Sequence, residues 1–230
     1  MRARTLVTDL TDLVLGRACL QCQIPGRPLC ELCLEDARGL GALVDLPVGL
    51  LDLRVGHALP YRGLGSDLVL AYKERGNRAL ADALGVLLAD AVSIVVTDIS
   101  TAGPRHWALI PIPGHRRPER GFAALDAIAA GARRELRRQG TAVTIQPLLE
   151  LTTRHRPMKQ LDRRERWRSV TGSMSVRATQ IRPHDMVGYI VIDDVVTTGA
   201  TLKEADRALR AAGVLVHGFA AVALTAAPGA

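Results

Sequence analysis

Two adjacent carboxylates, Asp193 and Asp194, close an apolar run and open a turn of hydroxyls and glycine: Val191-Ile192-Asp193-Asp194-Val195-Val196-Thr197-Thr198-Gly199-Ala200-Thr201. A strand ending this way and leading into a helix can cup an anion. The turn amides and the Thr197, Thr198 and Thr201 hydroxyls donate to it, and the helix dipole favours negative charge at its N-terminus. The two acids would repel a phosphate in the same nest. They suit the vicinal hydroxyls of an attached sugar, since a carboxylate only accepts hydrogen bonds. A ribose 5-phosphate therefore fits the whole stretch, whereas two aspartates that merely cap neighbouring amides would leave the paired acids unexplained.

A second chemistry lies near the start. Cys19-x2-Cys22 and Cys30-x2-Cys33 hold all four cysteines of the chain, separated by a loop with Pro25, Gly26 and Pro28. Two such knuckles supply the four thiolates of a tetrahedral zinc site, and no open position is left for catalysis, so a structural metal is expected. Iron uses similar spacing and stays open as the alternative. The region lacks a secretion signal, which argues against disulfides.

Basic residues cluster in two places. Ile110-Pro111-Ile112-Pro113-Gly114-His115-Arg116-Arg117-Pro118-Glu119-Arg120-Gly121-Phe122 follows an apolar run, and its guanidinium forks suit a diphosphate. Arg154 to Arg166 carries five arginines and a lysine in a poorly periodic stretch that reads as a long loop. It could close over a ligand and exclude water, or track a nucleic-acid backbone without sequence preference. A solvated surface is the plain alternative for both.

Taken together, these motifs resemble the type I phosphoribosyltransferases, and with the cysteine knuckles the ComF/GntX family of competence-associated proteins, from about Cys19 to the C-terminus. The resemblance implies binding of 5-phosphoribosyl 1-pyrophosphate (PRPP) by Lys73, Asp193, Asp194, Val195, Val196, Thr197, Thr198, Gly199, Ala200 and Thr201. It implies Mg2+ on the pyrophosphate, and a leaving pyrophosphate stabilised by Arg116, Arg117 and Arg120. Asp193, Asp194 and these three arginines are the expected catalytic set. Pyrophosphate, a single-stranded DNA or a protein of the DNA-uptake machinery are the implied partners. The family commonly has Asn-Gln where Ala123 and Ala124 stand here. Purine-specific members often carry an acid where Thr197 stands. These departures make PRPP binding a firmer implication than group transfer, and leave a non-catalytic PRPP-responsive module as the alternative. The low aromatic content, 3%, argues against base stacking on single strands.

The elements that must position these residues alternate strand and helix from Val55 onward. Strands are expected over 55–61, 107–112, 143–149, 186–192 and 214–224, and helices over 64–74, 78–96, 123–138 and 201–212. That order predicts an α/β, mostly parallel sheet flanked by helices, type I phosphoribosyltransferase-like, behind a small four-cysteine zinc-ribbon module. The expected division is 1–48 for an N-terminal helix and the zinc module, with a linker near Gly39 to Gly49, and 49–230 for the main domain. Leu6, Leu10, Leu13 and Val14 share one face of the N-terminal helix. A formal charge of +7 and a pI near 9.8 fit anionic partners. The most apolar stretch, 79–96, contains Asp82 and Asp90, which disfavours a membrane span, and a cytoplasmic protein is expected.

Overall fold

The computed structural model describes residues 18–49, 51–99, 104–114, 124–152, 171–177 and 187–225. The cysteine knuckles lead into helix α1 (Glu31–Arg38), then strands β1 (Ala42–Val48) and β2 (Leu51–Pro60). Helix α2 (Leu64–Lys73), a 3-10 turn (Arg78–Leu80) and the long helix α3 (Ala81–Ile99) follow. Next come β3 (His106–Pro111), α4 (Ala124–Arg138), β4 (Val143–Ile145), β5 (Leu149–Leu151) and β6 (Met174–Val176). The chain closes with β7 (Val187–Val196), α5 (Ala200–Ala211) and β8 (Val216–Leu224).

Six strands form one sheet in the order β1-β2-β8-β7-β3-β4, and β5 pairs with β6 in a separate two-stranded sheet. Among the described residues, only the edge strand β1 runs antiparallel to its neighbour in the large sheet. Central strands of a parallel sheet are covered on both faces, which is why β7 and β8 are near-continuous runs of Val, Ile and Ala. Helix α3 packs on β2, β8 and α4. The sheet makes room for it with glycine: a Cβ at Gly56 would stand 2.5 Å from the Ala91 carbonyl oxygen. Helices α3 and α4 cross closely for the same reason, since a Cβ at Gly85 would lie 2.7 Å from Gly131 Cα.

The span Arg78–Ile99 is long and apolar enough to cross a bilayer by length and composition alone. Its apolar residues Leu84, Leu87, Leu88, Ala91 and Val92 are fully buried in the core. Its acids are ion-paired: Asp82 with Arg134, Asp90 with Arg38 and Asp98 with Arg54. It is the central helix of this fold.

Connections leave β3 and β7 in opposite directions. The chain runs from β3 through α4 outward to β4, and from β7 through α5 to β8 on the other side. Right-handed crossovers then put α4 and α5 on opposite faces, and a crevice opens at the carboxyl ends of β3 and β7.

Three expectations are corrected. The segment 39–49 is not a linker throughout, because 42–48 pairs with β2 in register from Ala42↔His57 to Val48↔Leu51. Its Gly and Pro content hides an edge strand in which buried Leu46 and Val48 alternate with exposed Asp45 and Pro47. The strand expected over 143–149 breaks at Pro147 into β4 and β5. Strand β7 runs four residues beyond Ile192, so both acids lie within it. The N-terminal residues Leu6 to Val14 lie outside the described residues.

Candidate functional site

Successive side chains of a strand point to opposite faces, so the neighbours Asp193 and Asp194 diverge. Register places Ile192 beside Ala220 and Ile190 beside Gly218, on the face covered by α3, and Asp194 shares that face. Asp194 is buried, and its Oδ1 accepts from Lys73 Nζ at 2.6 Å. Lys73 is the last residue of α2, so this contact ties the top of α2 to the end of β7 across 121 positions. Tyr72, one residue earlier, donates from its hydroxyl to the Ala124 carbonyl at 2.8 Å. Burial and the Asp194 charge push its phenol up to about 12, so it stays a donor.

Asp193 faces the other way, into a small recess of about 30 Å³. The recess is lined by Asp193, Val195, Val196, Thr197, Thr198, Gly199, Ala200, Thr201 and Leu202. The Asp193 Oδ1 accepts from the Asp194 amide at 2.8 Å. Burial, then the neighbouring Asp194 charge, hold the Asp193 carboxyl well above the usual carboxylate range, with Lys73 opposing them.

The turn itself is forced by Gly199, which adopts φ +71° as the N-cap of α5. A side chain there would also collide with β1: a Cβ would stand 2.6 Å from Val48 Cγ2 and 2.8 Å from Leu46 Cδ2. The cap carries no side-chain hydrogen bond. The Lys203 amide meets the Gly199 carbonyl at 2.9 Å and the Ala200 amide makes a weak contact to Thr198 Oγ1 at 3.5 Å, which leaves the Thr201 and Leu202 amides to meet an outside acceptor. Lys203, one turn on, donates from Nζ to the Val48 carbonyl at 3.1 Å and pins the end of β1 beside the turn.

Sequence reasoning singled out the turn and the acids, and the structure brings Lys73 to them. Leu46, Val48 and Lys203, which wall the turn, belong to no motif in the sequence and come to it only through the fold. Arg116, Arg117, Arg120 and the Arg154–Arg166 segment lie outside the described residues.

The four cysteines converge. Their sulfurs all lie within 4.8 Å of one another, and Cys22 Sγ and Cys30 Sγ are 3.7 Å apart. A tetrahedron of Zn–S bonds of ~2.3 Å has edges of ~3.8 Å, so the spacing suits one ion. The first knuckle is shaped by the Cys19 N–H to Ile24 carbonyl bond and by Gln23 at φ +61°. In the second, Cys30 is the N-cap of α1 and Cys33 sits in its first turn. Burial works against ionising Cys19, yet amide donors of Cys22, Cys30 and Gln21 outweigh it and bring the thiol down to about 6. Cys33 is pushed up, first by the Cys30 sulfur, then by burial and the other two sulfurs. Four sulfurs this close cannot all ionise without a cation, and that is the donor set's own argument for a divalent metal.

No protein-family model matches this chain, and no curated protein matches it in sequence. Solved structures do resemble it. The allosteric regulatory enzyme of purine biosynthesis aligns at 14% identity and TM-score 0.33, over 62% of this chain and 25% of its own. This chain thus spans about a quarter of that enzyme's length. The adenine phosphoribosyltransferase of Rhodothermus marinus aligns at 16% identity and TM-score 0.35, over 83% of this chain and 85% of its own. The APRTase of Giardia lamblia, complexed with 9-deazaadenine, aligns at 16% and 0.34, over 84% and 98%. Function is therefore argued from the chemistry of the site.

Proposed function

We propose that this chain binds PRPP with Mg2+ at the carboxyl end of β7, as a phosphoribosyltransferase-like protein of ComF/GntX type. One observation carries the reading: Asp193 and the Thr197–Leu202 turn line a single recess at the point where connections diverge. A phosphate accepts from the uncapped first-turn amides and the Thr hydroxyls. The ribose hydroxyls then meet the strand-end acids, Asp193 in the recess and Asp194 on the far side of the strand. Lys73, already at Asp194, supplies positive charge toward the pyrophosphate.

In the transfer this arrangement suits, the bond from C1 to pyrophosphate breaks and a bond from C1 to an acceptor nitrogen forms. The acceptor loses a proton, and pyrophosphate leaves with the electron pair. Mg2+ would supply charge neutralisation on the diphosphate, and Arg116, Arg117 and Arg120 are assigned to the leaving group from sequence. The four-cysteine module is read as a structural zinc site.

Calorimetric titration with PRPP and Mg2+ tests the binding. Saturable binding by the wild type, lost in Asp193→Asn/Asp194→Asn, is expected. A folded wild type that ignores PRPP would overturn it. A screen of nitrogenous bases for pyrophosphate release then separates the enzyme from a PRPP-responsive module. Exposed Ile24, Leu32 and Leu40 on and just after the cysteine module favour the module reading, since they offer apolar contacts to a protein partner.

A further inference from the structure

Strand β2 carries a histidine that the sugar-phosphate recess does not account for. His57 is 9% exposed, and among the described residues its buried Nδ1 has no hydrogen-bond partner. An unpaired buried polar atom is strongly unfavourable, and such atoms are nearly always met by protein or by an ordered water. Burial lowers the pKa of the ring, with the Leu59 carbonyl opposing it, so the imidazole is neutral at pH 7. A neutral ring offers one donor and one acceptor nitrogen.

Strand alternation and register fix the side of the sheet on which His57 lies. Gly56 faces α3, since a Cβ there would meet the Ala91 carbonyl oxygen, so its neighbour His57 faces the other way. Gly218 of β8 also faces α3, where a Cβ would meet Val95 Cγ1, which puts Ala221, three residues on, on the same side as His57. The ladder aligns His57 with Ala221, and Ala221 with Asp193. Three adjacent strands thus present His57, Ala221 and Asp193 as one row on one face. Two strand spacings put the outer Cα atoms about 10 Å apart. Ala221 between them adds only a methyl, and on the far side of His57 stands another, Ala42 of β1. Asp193 is therefore the polar side chain of this row that can answer the imidazole. Its Oδ1 accepts the Asp194 amide, which leaves Oδ2 to accept from elsewhere.

We infer that His57 is a positioning residue for Asp193: a buried water over Ala221 joins the imidazole to Asp193 Oδ2 and holds that carboxylate toward the ribose hydroxyls. The role at the hydroxyls rests on the sugar-phosphate reading, whereas the bridge does not. Two hydrogen bonds of ~2.8 Å let one water span the gap above the methyl. The water donates one hydrogen to Asp193 and serves the ring as donor or acceptor, according to its tautomer.

Two measurements on the zinc-loaded full chain test this. Urea melts of wild type, His57→Leu, Asp193→Asn and the double variant close a thermodynamic cycle, with His57→Met in place of His57→Leu should the latter not fold. The bridge predicts coupling: the double variant's folding constant exceeds the product of the single effects by about threefold or more. An imidazole without a partner predicts instead that His57→Leu is more stable than wild type and that the effects are additive, and that result overturns the inference. Calorimetry then compares inorganic phosphate with ribose 5-phosphate. His57→Leu should bind ribose 5-phosphate about tenfold more weakly and phosphate within about twofold of wild type. His57→Asn, whose amide keeps a polar atom where Nδ1 stands, should recover most of the loss. Equal weakening of both probes would make His57 part of the general packing and overturn the positioning role. A wild type that ignores both ribose 5-phosphate and PRPP would remove the sugar-phosphate reading and the positioning role with it, while coupling in the melts would still establish the bridge.

Discussion

Asp193 sits where burial and a like charge both oppose its ionised form, an arrangement that costs stability. Its native carboxyl titrates above the unfolded value, so between ~4 and that raised value the native state binds more protons than the unfolded chain. Stability therefore falls as pH rises through that window. Asp193→Asn removes the charge but keeps the oxygen that accepts the Asp194 amide. Thermal melts should show the variant more stable than wild type at pH 7, by ~2–4 °C per kcal/mol released. The gain should shrink toward zero near pH 4, and PRPP binding should be lost. A variant less stable at pH 7 would mean that the carboxylate is a structural group. Lys73 and Asp194 behave differently, because they satisfy each other. Lys73→Met should cost about 1–2 kcal/mol, less than a fully buried pair because Lys73 is partly exposed. Adding Asp194→Asn should recover most of that stability while leaving PRPP binding impaired, a coupling that denaturant melts and calorimetry on the four-member cycle would measure.

At the scale of elements, α5 is fastened at two points to different parts of the molecule. Its N-terminus meets β1 through Gly199, where a side chain would force a left-handed backbone and a collision with Leu46 and Val48 together. Gly199→Ala should therefore weaken PRPP binding by an order of magnitude or more, and destabilise by about 2–4 kcal/mol from backbone and overpacking costs. Its middle holds β6 through Glu204, which is almost fully buried. Glu204 accepts from the Met174 amide at 3.1 Å and from Arg207, whose guanidinium in turn donates to the Met174 carbonyl at 3.1 Å. Burial disfavours the Glu204 carboxylate, but Arg207 and the backbone amides of Met174 and Gly172 win and hold it below its usual range. Glu204→Ala leaves a buried amide without its acceptor, so a loss of about 1–3 kcal/mol is expected in urea melts, with faster amide exchange in β6. Much of this framework was legible beforehand. The apolar run of β7 and its Thr/Gly turn announce strand, loop and helix in eleven consecutive residues, and the cysteine spacing announces its own cluster. What was hidden depends on partners that only the fold supplies. Strand β1 has too many Gly and Pro neighbours to read as a strand until β2 pairs with it, and nothing local assigns Lys73 to Asp194.

For the whole molecule, the consequence is a mechanical line from the cysteine cluster to the Thr197–Thr201 turn. Helix α1 starts at Cys30 and ends at Arg38, whose guanidinium grips Asp90 of α3 with two bonds of 2.9 Å and reaches Glu135 of α4 at 3.4 Å. Four residues later the chain enters β1, whose far end packs on Gly199 and accepts from Lys203. A metal that orders the knuckles therefore also fixes the origin of the strand that packs on Gly199. Structural zinc contributes folding free energy directly, because the unfolded chain holds no preformed site. Stripping the metal with a chelator should lower the melting temperature and release one zinc per chain by elemental analysis. It should also weaken PRPP binding severalfold, although no cysteine touches the recess. Re-addition of zinc should restore both. Arg38→Ala separates the two effects: it cuts the grip on α3 and α4 while leaving the four sulfurs in place. The variant should keep its zinc, bind PRPP less well and melt earlier. If instead it binds PRPP as wild type does, and metal removal changes stability alone, the module is a passive appendage and β1 holds the turn without it.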